Sequence, residues 1–380
     1  MRDGWTRVAF GDVARNITDR VDNPAKAGVD RYVGLEHLGS ESLTISRWGL
    51  PTDVAATKLL FRRGDIILGR RRVYQRKLAV ADFDGICSAH ALVLRARSEA
   101  VDPDFLPYFM QTDSFMDRAL QISVGSLSPT INWTALAREE FSLPPLATQR
   151  RLAGALSALD RAVDAVVGAM TRGHIAGESR LKASITGSRR SLRLGDATIA
   201  VEYGCSLPAS DTPQGTPILR IPNVLRGELD LGGLKRLELS PDEVAKYAAH
   251  EGDILMVRTN GNPDYVGRCV LVPRLDEQMV FASYLIRIAI DQSVLEPAFV
   301  ALLLNSRATR AQIRCSVRSS AGNYNINSKE IRDIQLPVPD RQLQLSVVAD
   351  ARLSSQGIAG LTRRLDDLKE LRLELWRASV

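Results

Sequence analysis

Hydrophobic and polar positions follow two periods along this chain. Short aliphatic runs bounded by Gly, Pro or Asp predict strands at 65–68, 89–94, 253–257 and 280–290. Apolar residues spaced by three and four predict helices over 104–120 and 297–317. Strands and helices that alternate in this way indicate a mixed α/β (α+β) fold.

The same short segments return later in the chain and in the same order. Gly64-Asp65-Ile66 returns as Gly252-Asp253-Ile254, and Ile131-Asn132 returns as Ile326-Asn327. Several such matches keep an offset of roughly 190 residues, which is unlike chance similarity. We therefore predict two duplicated units.

A strictly periodic segment follows Pro144-Pro145. Its apolar residues recur at intervals of three and four, at Leu152, Leu156, Leu159, Val163, Val166 and Met170. A less regular series follows Pro339, at Leu361, Leu365, Leu368, Leu371 and Leu375. Narrow seams of this kind are typical of coiled coils, so two long helices that cover each other's apolar stripes are predicted. The alternative is that they are ordinary core helices of two domains.

Composition narrows the class of protein. A chain of 380 residues predicts two or three domains, and a net charge of +6 permits an anionic partner. The sequence contains no long apolar run typical of a membrane span and begins without a secretory signal, so a cytoplasmic protein is expected. The four cysteines are scattered without a CxxC pair, which favours reduced thiols and no metal site.

No motif of a catalytic site stands out. Phosphate-binding glycine loops and the nucleophile elbow are absent from the sequence. The tetrapeptide Asn262-Pro263-Asp264-Tyr265 resembles the adenine-holding motif of amino-methyltransferases, but its third residue is Asp instead of Pro. A polar turn is the ordinary interpretation of this segment. We predict no catalytic residue and no cofactor in this chain.

Basic residues are concentrated between Phe61 and Lys77, where seven positive side chains accompany a single acid, Asp65. Arginine binds phosphates and guanine edges, glutamine can read adenine, and tyrosine can stack or contact sugar. The predicted DNA-contacting residues here are Arg70, Arg71, Arg72, Tyr74, Gln75, Arg76 and Lys77.

The matching segment of the second unit is less basic and richer in amides. Its predicted contacts are Arg258, Thr259, Asn260, Asn262, Tyr265 and Arg268. A row without nearby acids is expected on one helix face, at Arg307, Arg310, Arg314 and Arg318, where it favours a polyanion over a merely solvated face. Hydroxyl- and amide-rich loops add Ser126, Ser128, Ser320, Asn323, Tyr324 and Asn325, although both loops could equally be plain turns.

These features resemble the DNA specificity subunits of type I restriction-modification systems over nearly the whole chain. The most specific part is the junction Phe141-Ser142-Leu143-Pro144-Pro145-Leu146-Ala147-Thr148-Gln149-Arg150, with a weaker copy from Ile334 to Gln342. Thr148 and Arg341 stand where the family usually has Glu, whereas Gln149 and Gln342 keep the following Gln.

The resemblance implies a division of labour. Two target-recognition domains, at 1–145 and 187–339, would each read half of a split DNA sequence. Conserved helices at 146–186 and 340–380 would pack antiparallel, with a pseudo-twofold relation between the halves, set the spacing and dock partners. The subunit would not catalyse. Methyltransferase subunits, usually two, would transfer a methyl group from S-adenosylmethionine to adenine N6, and motor-nuclease subunits can join the complex.

Two alternatives keep parts of this interpretation. In the first, the same fold recognises DNA for another phage-defence system. In the second, the helical rod of a protein-interaction scaffold is the functional part, which predicts weak DNA binding with little dependence on salt.

Overall fold

The computed structural model describes residues 4–40, 42–71, 73–125, 129–188, 190–207, 214–320 and 322–379. It divides into two compact units. Unit 1 comprises residues 1–165 and 366–380, and unit 2 comprises residues 166–365. Within the described ranges, no helix is both long and apolar enough to cross a membrane.

Unit 1 contains three small sheets with helices packed against them. Its strands are β1 Thr6–Ala9, β2 Ala14–Ile17, β3 Arg20–Val21, β4 Tyr32–Val33, β5 Lys58–Phe61, β6 Ile66–Gly69, β7 Leu78–Val80, β8 Gly85–Cys87, β9 Ala91–Ala96 and β10 Glu140–Leu143. Its helices are α1 Phe10–Val13, α2 Leu106–Met110, α3 Asp113–Gln121, α4 Trp133–Leu136 and the first half of α5 Leu146–Ile185. The sheets have the orders β2-β9-β6-β7, β3-β5-β8-β4 and β1-β10.

Unit 2 is also built of small sheets and helices, and it has more short strands. Its strands are β11 Ser191–Arg193, β12 Thr198–Tyr203, β13 Thr216–Leu219, β14 Lys235–Leu237, β15 Ile254–Val257, β16 Thr259–Asn260, β17 Cys269–Leu271, β18 Val280–Phe281, β19 Leu285–Ile290, β20 Arg318–Ser320, β21 Asn323–Asn325 and β22 Gln335–Pro337. Its helices are the second half of α5, α6 Ile221–Val224, α7 Pro241–Tyr247, α8 Pro297–Asn305, α9 Arg307–Ser316, α10 Ser328–Arg332 and most of α11 Arg341–Ser379, whose last turns belong to unit 1.

The main sheet of unit 2 has the order β12-β19-β15-β17, and its strands follow one another in the chain as those of β2-β9-β6-β7 do. The central strands β6 and β15 are buried along their whole length, which explains their continuous aliphatic runs. Each is preceded by a glycine with a positive φ, Gly64 at 87° and Gly252 at 88°. A tight turn that only glycine adopts easily therefore leads into both strands.

The predicted elements are interrupted more often than their hydrophobic pattern suggests. The helix expected over 104–120 is two helices, because the Thr112 hydroxyl caps α3 by accepting the Phe115 N–H. The helix expected over 297–317 breaks at Ser306, which caps α9 in the same way. The strand expected over 280–290 is also divided, into β18 and β19.

The junction before each long helix is built on one buried glutamine. Gln149 Oε1 accepts the Asp102 N–H at 2.9 Å, and its Nε2 donates to the Pro144 carbonyl at 2.8 Å. In unit 2 the corresponding bonds, to the Glu296 N–H and the Pro339 carbonyl, are made by Gln344 at 2.9 and 3.0 Å.

The pairing of Gln149 with Gln342 was therefore wrong by two residues. Gln342 is exposed, whereas Gln344 is 2% exposed. The residue that stands where the family usually has Glu is accordingly Leu343 instead of Arg341. The offset between the two junctions is 195 residues, the distance from Gln149 to Gln344.

Both predicted seams consist of buried or half-buried side chains, with one exception. Leu152 and Leu156 are buried in unit 1, and Val166 is buried in unit 2. Leu371, included in the less regular series, is 50% exposed. The position one residue later, Arg372, is half-buried instead.

Candidate nucleic-acid interface

The end of strand β6 joins two of the loops that the sequence singled out in unit 1. The Arg70 N–H donates to the His90 carbonyl at 3.0 Å, and the Arg70 carbonyl accepts the Ile131 N–H at 2.9 Å. The Arg70 guanidinium donates through Nη2 to Asn132 Oδ1 at 2.9 Å. Arg71 forms an isolated antiparallel bridge with Thr130. The start of the basic loop is thus held beside residues 130–132.

The basic side chains of this loop have two different environments. Arg76 forms an ion pair with Asp113 at 2.6 Å, and Lys77 Nζ donates to the Leu35 carbonyl at 2.7 Å. Arg71 is exposed, and Tyr74 is 56% exposed. Arg76 and Lys77 therefore hold the loop, while Arg71 and Tyr74 are presented to solvent. Gln75 is half-buried, and Arg72, Ser126 and Ser128 lie outside the described residues.

The backbone of Arg76 is in the left-handed region, with φ at 49°. This conformation is costly for a residue with a Cβ and is found most often at functional sites. The Arg76 N–H donates to the Val73 carbonyl at 2.8 Å, and Val73 itself is buried. The turn is anchored on both sides of Tyr74, so the ring projects from a hydrogen-bonded turn.

Unit 2 builds the same arrangement around Arg258. Its N–H donates to the Tyr284 carbonyl at 2.9 Å, and its carbonyl accepts the Ile326 N–H at 2.9 Å. The Arg258 guanidinium lies over the Tyr203 ring, 4.7 Å from the centroid. Strand β16 pairs with β21 and β21 with β20, which brings Thr259 and Asn260 beside Tyr324 and Asn325. The backbone of Ser320 ends strand β20, and Asn323 begins β21 and is exposed.

The amide groups of the second loop are partly used within it. Asn260 Oδ1 accepts the Asn262 N–H at 2.8 Å, and Asn262 Oδ1 accepts the Asp264 N–H at 3.0 Å. Residues 262–265 are thus the polar turn that was the ordinary interpretation of this tetrapeptide. Arg268 lies 5.0 Å from the Tyr265 ring centroid and donates to the Leu225 carbonyl at 3.1 Å.

The prediction of an unneutralised arginine row is wrong. Arg310 donates to the Val266 and Asp264 carbonyls at 2.6 and 2.8 Å, and its partial burial lowers the pKa of the guanidinium. Arg314 pairs with Asp264 at 3.4 Å. Because α9 ends at Ser316, Arg318 lies in β20, where it pairs with Glu330 at 2.8 Å. Acids thus pair with two of these four arginines, Arg314 and Arg318, and backbone carbonyls hold Arg310.

Within the described residues, no group of His, Cys, Asp or Glu is arranged to hold a metal ion. Cys87, Cys205 and Cys269 are buried free thiols, and Cys315 is exposed. Burial raises the pKa of the Cys87 thiol to about 12, so this group stays protonated at neutral pH.

A protein-family model matches the first part of the chain. Residues 2–166 match the family model of the type I restriction modification DNA specificity domain. The chain is similar to specificity subunits of type I restriction enzymes. It is 24% identical over 263 residues to the EcoKI specificity subunit of Escherichia coli K12, which covers 64% of this chain and 56% of that subunit.

Another type I specificity subunit, StySPI of Salmonella potsdam, is 23% identical over 69% of this chain and 60% of its own length. The chain thus spans less than two thirds of these two specificity subunits.

Two solved structures show a similar mixed α/β fold. One is the type I restriction-modification S subunit of M. genitalium, with a TM-score of 0.61, 15% identity, and coverage of 98% of this chain and 94% of that chain. The other was solved in work on complex assembly and conformational transition of the type I R-M system. It has a TM-score of 0.56 and 20% identity, and covers 100% of this chain and 96% of that chain.

The prediction from the sequence did not include three aromatic residues of the candidate interface. His90 and Tyr284 occupy equivalent places beside Arg70 and Arg258, and both are exposed. Tyr203, which lies under Arg258, comes from β12, far away in the chain. Reduced solvation and then the charges of Arg71 and Arg70 lower the pKa of His90, which keeps its ring neutral at pH 7.

The turn at Arg76 has a counterpart in unit 2, at Gly267. This glycine occupies the place of Arg76, two residues before the paired strand, with φ at 81°. A Cβ at Gly267 would lie 2.5 Å from Ile313 Cγ2. We expect Gly267→Ala to lower the free energy of unfolding by about 2–3 kcal/mol in urea titrations followed by circular dichroism. Gly360→Ala is the control, because an added Cβ meets no atom within 4 Å there. Equal stability of the two variants would contradict the expectation.

Proposed function

We propose that the chain is the sequence-specific DNA-binding specificity subunit of a type I restriction-modification complex that methylates adenine at N6. The observation that carries this proposal is the repeated surface at the end of the central strands. In each unit an arginine follows the strand and is bonded through its backbone to a second polar loop, at Ile131 and at Ile326. The sequence similarity to type I specificity subunits supports the same role.

The two surfaces use different side chains on a common backbone frame. Unit 1 presents Arg71, Tyr74 and His90, whereas unit 2 presents Asn260 and Tyr284 in the equivalent region. Hydrogen-bonding groups at base edges distinguish sequences, and phosphate contacts only position the protein. Different side chains in the two places favour two different half-sites, one for each target-recognition domain, at 1–145 and at 187–339.

The long helices at 146–186 and 340–380 are proposed to set the spacing between half-sites and to dock partners. Contacts within each unit support antiparallel packing. In unit 1, Asp160 pairs with Arg372 at 3.3 Å. In unit 2, a Cβ on Gly173 would lie 3.6 Å from Ile358 Cγ1. Within each unit a second pair completes the reversal, since Leu152 shares a core with Leu375 in unit 1 and Leu181 shares a core with Val347 in unit 2.

In this proposal the chain itself performs no chemistry. Methyltransferase subunits, two of them, carry S-adenosylmethionine and transfer the methyl group, and motor-nuclease subunits can join. The complex works on double-stranded DNA in the cytoplasm. The chain's task is to bind the bipartite sequence and to present the target adenines to its partners.

Co-expression with a type I methyltransferase subunit from the same genome tests the proposal. We expect modification sequencing of the host DNA to show one gapped, asymmetric motif methylated at adenine N6. The same methyltransferase without this chain should leave that motif unmethylated. A complex that assembles and yet produces no motif would overturn the proposal.

A titration with salt separates DNA recognition from a scaffold role. Several phosphate contacts would make log Kd rise linearly with log salt, with a slope of about 0.9 per contact. A scaffold whose helices bind protein would show weak DNA binding that changes little with salt.

A further inference from the structure

One position of the α11 seam carries a charge that contacts two polar side chains, and one of these accepts a hydrogen bond from a third. The seam residues Leu361, Leu365 and Leu368 continue at spacings of four and three to Arg372 and Leu375. Arg372 Nη1 lies 3.3 Å from Asp160 Oδ1, and its Nη2 donates to Gln111 Oε1 at 2.9 Å. The hydroxyl of Tyr108 donates to Asp160 Oδ2 at 2.9 Å.

These groups are largely withdrawn from solvent. Tyr108 is 6% exposed, and the side chains of Asp160 and Arg372 are 28% and 23% exposed. Burial and then the charge of Asp160 raise the pKa of the Tyr108 hydroxyl, which keeps it a donor. Next to them Leu375 packs against the core of unit 1. Four side chains from α2, its C-terminal cap, α5 and α11 thus meet at one point.

The equivalent place in unit 2 lacks all of these groups. The offset of 195 residues relates Asp160 to Ser355 and Arg372 to Gly177. For the helix equivalent to α2 the offset is 194 residues, the distance from Asp102 to Glu296, so Leu302 and Asn305 stand at the positions of Tyr108 and Gln111. All four of these small or neutral residues line a cleft of about 680 Å³. The polar arrangement is therefore a property of unit 1 and is not demanded by the shared fold.

We propose that Tyr108, Gln111, Asp160 and Arg372 form a polar clasp that fixes the axial position of α11 on α5, and thereby the spacing between the two DNA half-sites. The effect on spacing rests on the proposed function. An apolar seam tolerates displacement because one leucine can replace the next, whereas a charge in a seam is satisfied in one register only. A displacement by one helical turn, about 5.4 Å, would separate Arg372 from Asp160 and leave both unpaired.

Hydrogen exchange of the full chain tests the clasp directly. We expect Arg372→Met and Asp160→Leu, made separately, to increase amide exchange within 366–375 at least tenfold, because each leaves a partner charge in the seam. The triple variant Tyr108→Phe/Asp160→Leu/Arg372→Met should return to within threefold of the wild-type rate, since its seam is apolar throughout. Arg364→Met is the matched control, as Arg364 lies on the same helix and is exposed. Single variants that exchange like this control would overturn the clasp.

Modification sequencing tests the consequence for spacing. With the triple variant, we expect the preference for the native gap over gaps one base pair longer or shorter to fall at least fivefold. An unchanged preference, in a variant that still assembles, would overturn the link to spacing. If the wild-type chain directed no methylation at all, both the proposed function and the link between the clasp and the half-site spacing would fail. The exchange experiment would still decide whether the clasp fixes α11.

Discussion

Replacing Gln344 with alanine is expected to lower the free energy of unfolding of unit 2 by about 2–4 kcal/mol, because two buried hydrogen-bonding groups lose their partner. The side chain is 2% exposed and joins the Glu296 N–H to the Pro339 carbonyl. No other part of the junction replaces these bonds when the amide is removed. Urea unfolding followed by circular dichroism measures the loss.

Gln342→Ala is the matched control for this expectation. It removes the same side chain two residues earlier in the same helix, where the amide is exposed. A surface change of this kind is expected to cost less than about 0.5 kcal/mol. Similar losses in the two variants would contradict the assignment of Gln344 as the counterpart of Gln149.

Replacing Arg71 and Tyr74 together with alanine is expected to weaken binding to the first half-site by about 10- to 100-fold, the loss that follows from one or two base contacts. Both side chains are exposed on a loop that Arg76 and Lys77 hold in place. Because unit 2 keeps its own surface, discrimination at the second half-site should not change. Competition binding with DNA altered in one half-site at a time measures both quantities.

Arg62→Ala/Arg63→Ala is the control for that experiment. These two exposed residues precede strand β6, whereas Arg71 and Tyr74 follow it. They carry the same type of charge at the opposite end of the strand. An equal loss in the control, or a loss that is uniform over all DNA sequences, would show that Arg71 and Tyr74 do not read the first half-site.

Features with a strong local cause could be predicted from the sequence. The strand expected at 65–68 is β6 at Ile66–Gly69, because a buried aliphatic run after a glycine turn has few alternatives. The long periodic segment after Pro145 is likewise one helix, Leu146–Ile185. Interruptions such as Ser306 were missed, since a single capping serine barely alters the spacing of apolar residues.

Features that depend on distant partners could not be predicted. The arginine row looked unneutralised because its acids lie elsewhere in the chain. Asp264, which pairs with Arg314, is 50 residues away, and Glu330, which pairs with Arg318, belongs to α10. His90 and Tyr284 carried no local signal, and only the backbone bonds at Arg70 and Arg258 place them at the candidate interface. Gln344 was missed because the copied junction is shifted by two residues from its apparent match.

The discontinuity of unit 1 has a consequence for biosynthesis. Unit 2 is one continuous stretch, 166–365, whereas unit 1 includes residues from both sides of it in the chain. A ribosome therefore releases every residue of unit 2 before it releases the turns of α11 that carry Arg372. Since domains fold as they are synthesised, unit 2 can fold before the last turns of α11 are available to complete unit 1. Chains that terminate early would carry a finished second unit and a first unit without its closing contacts.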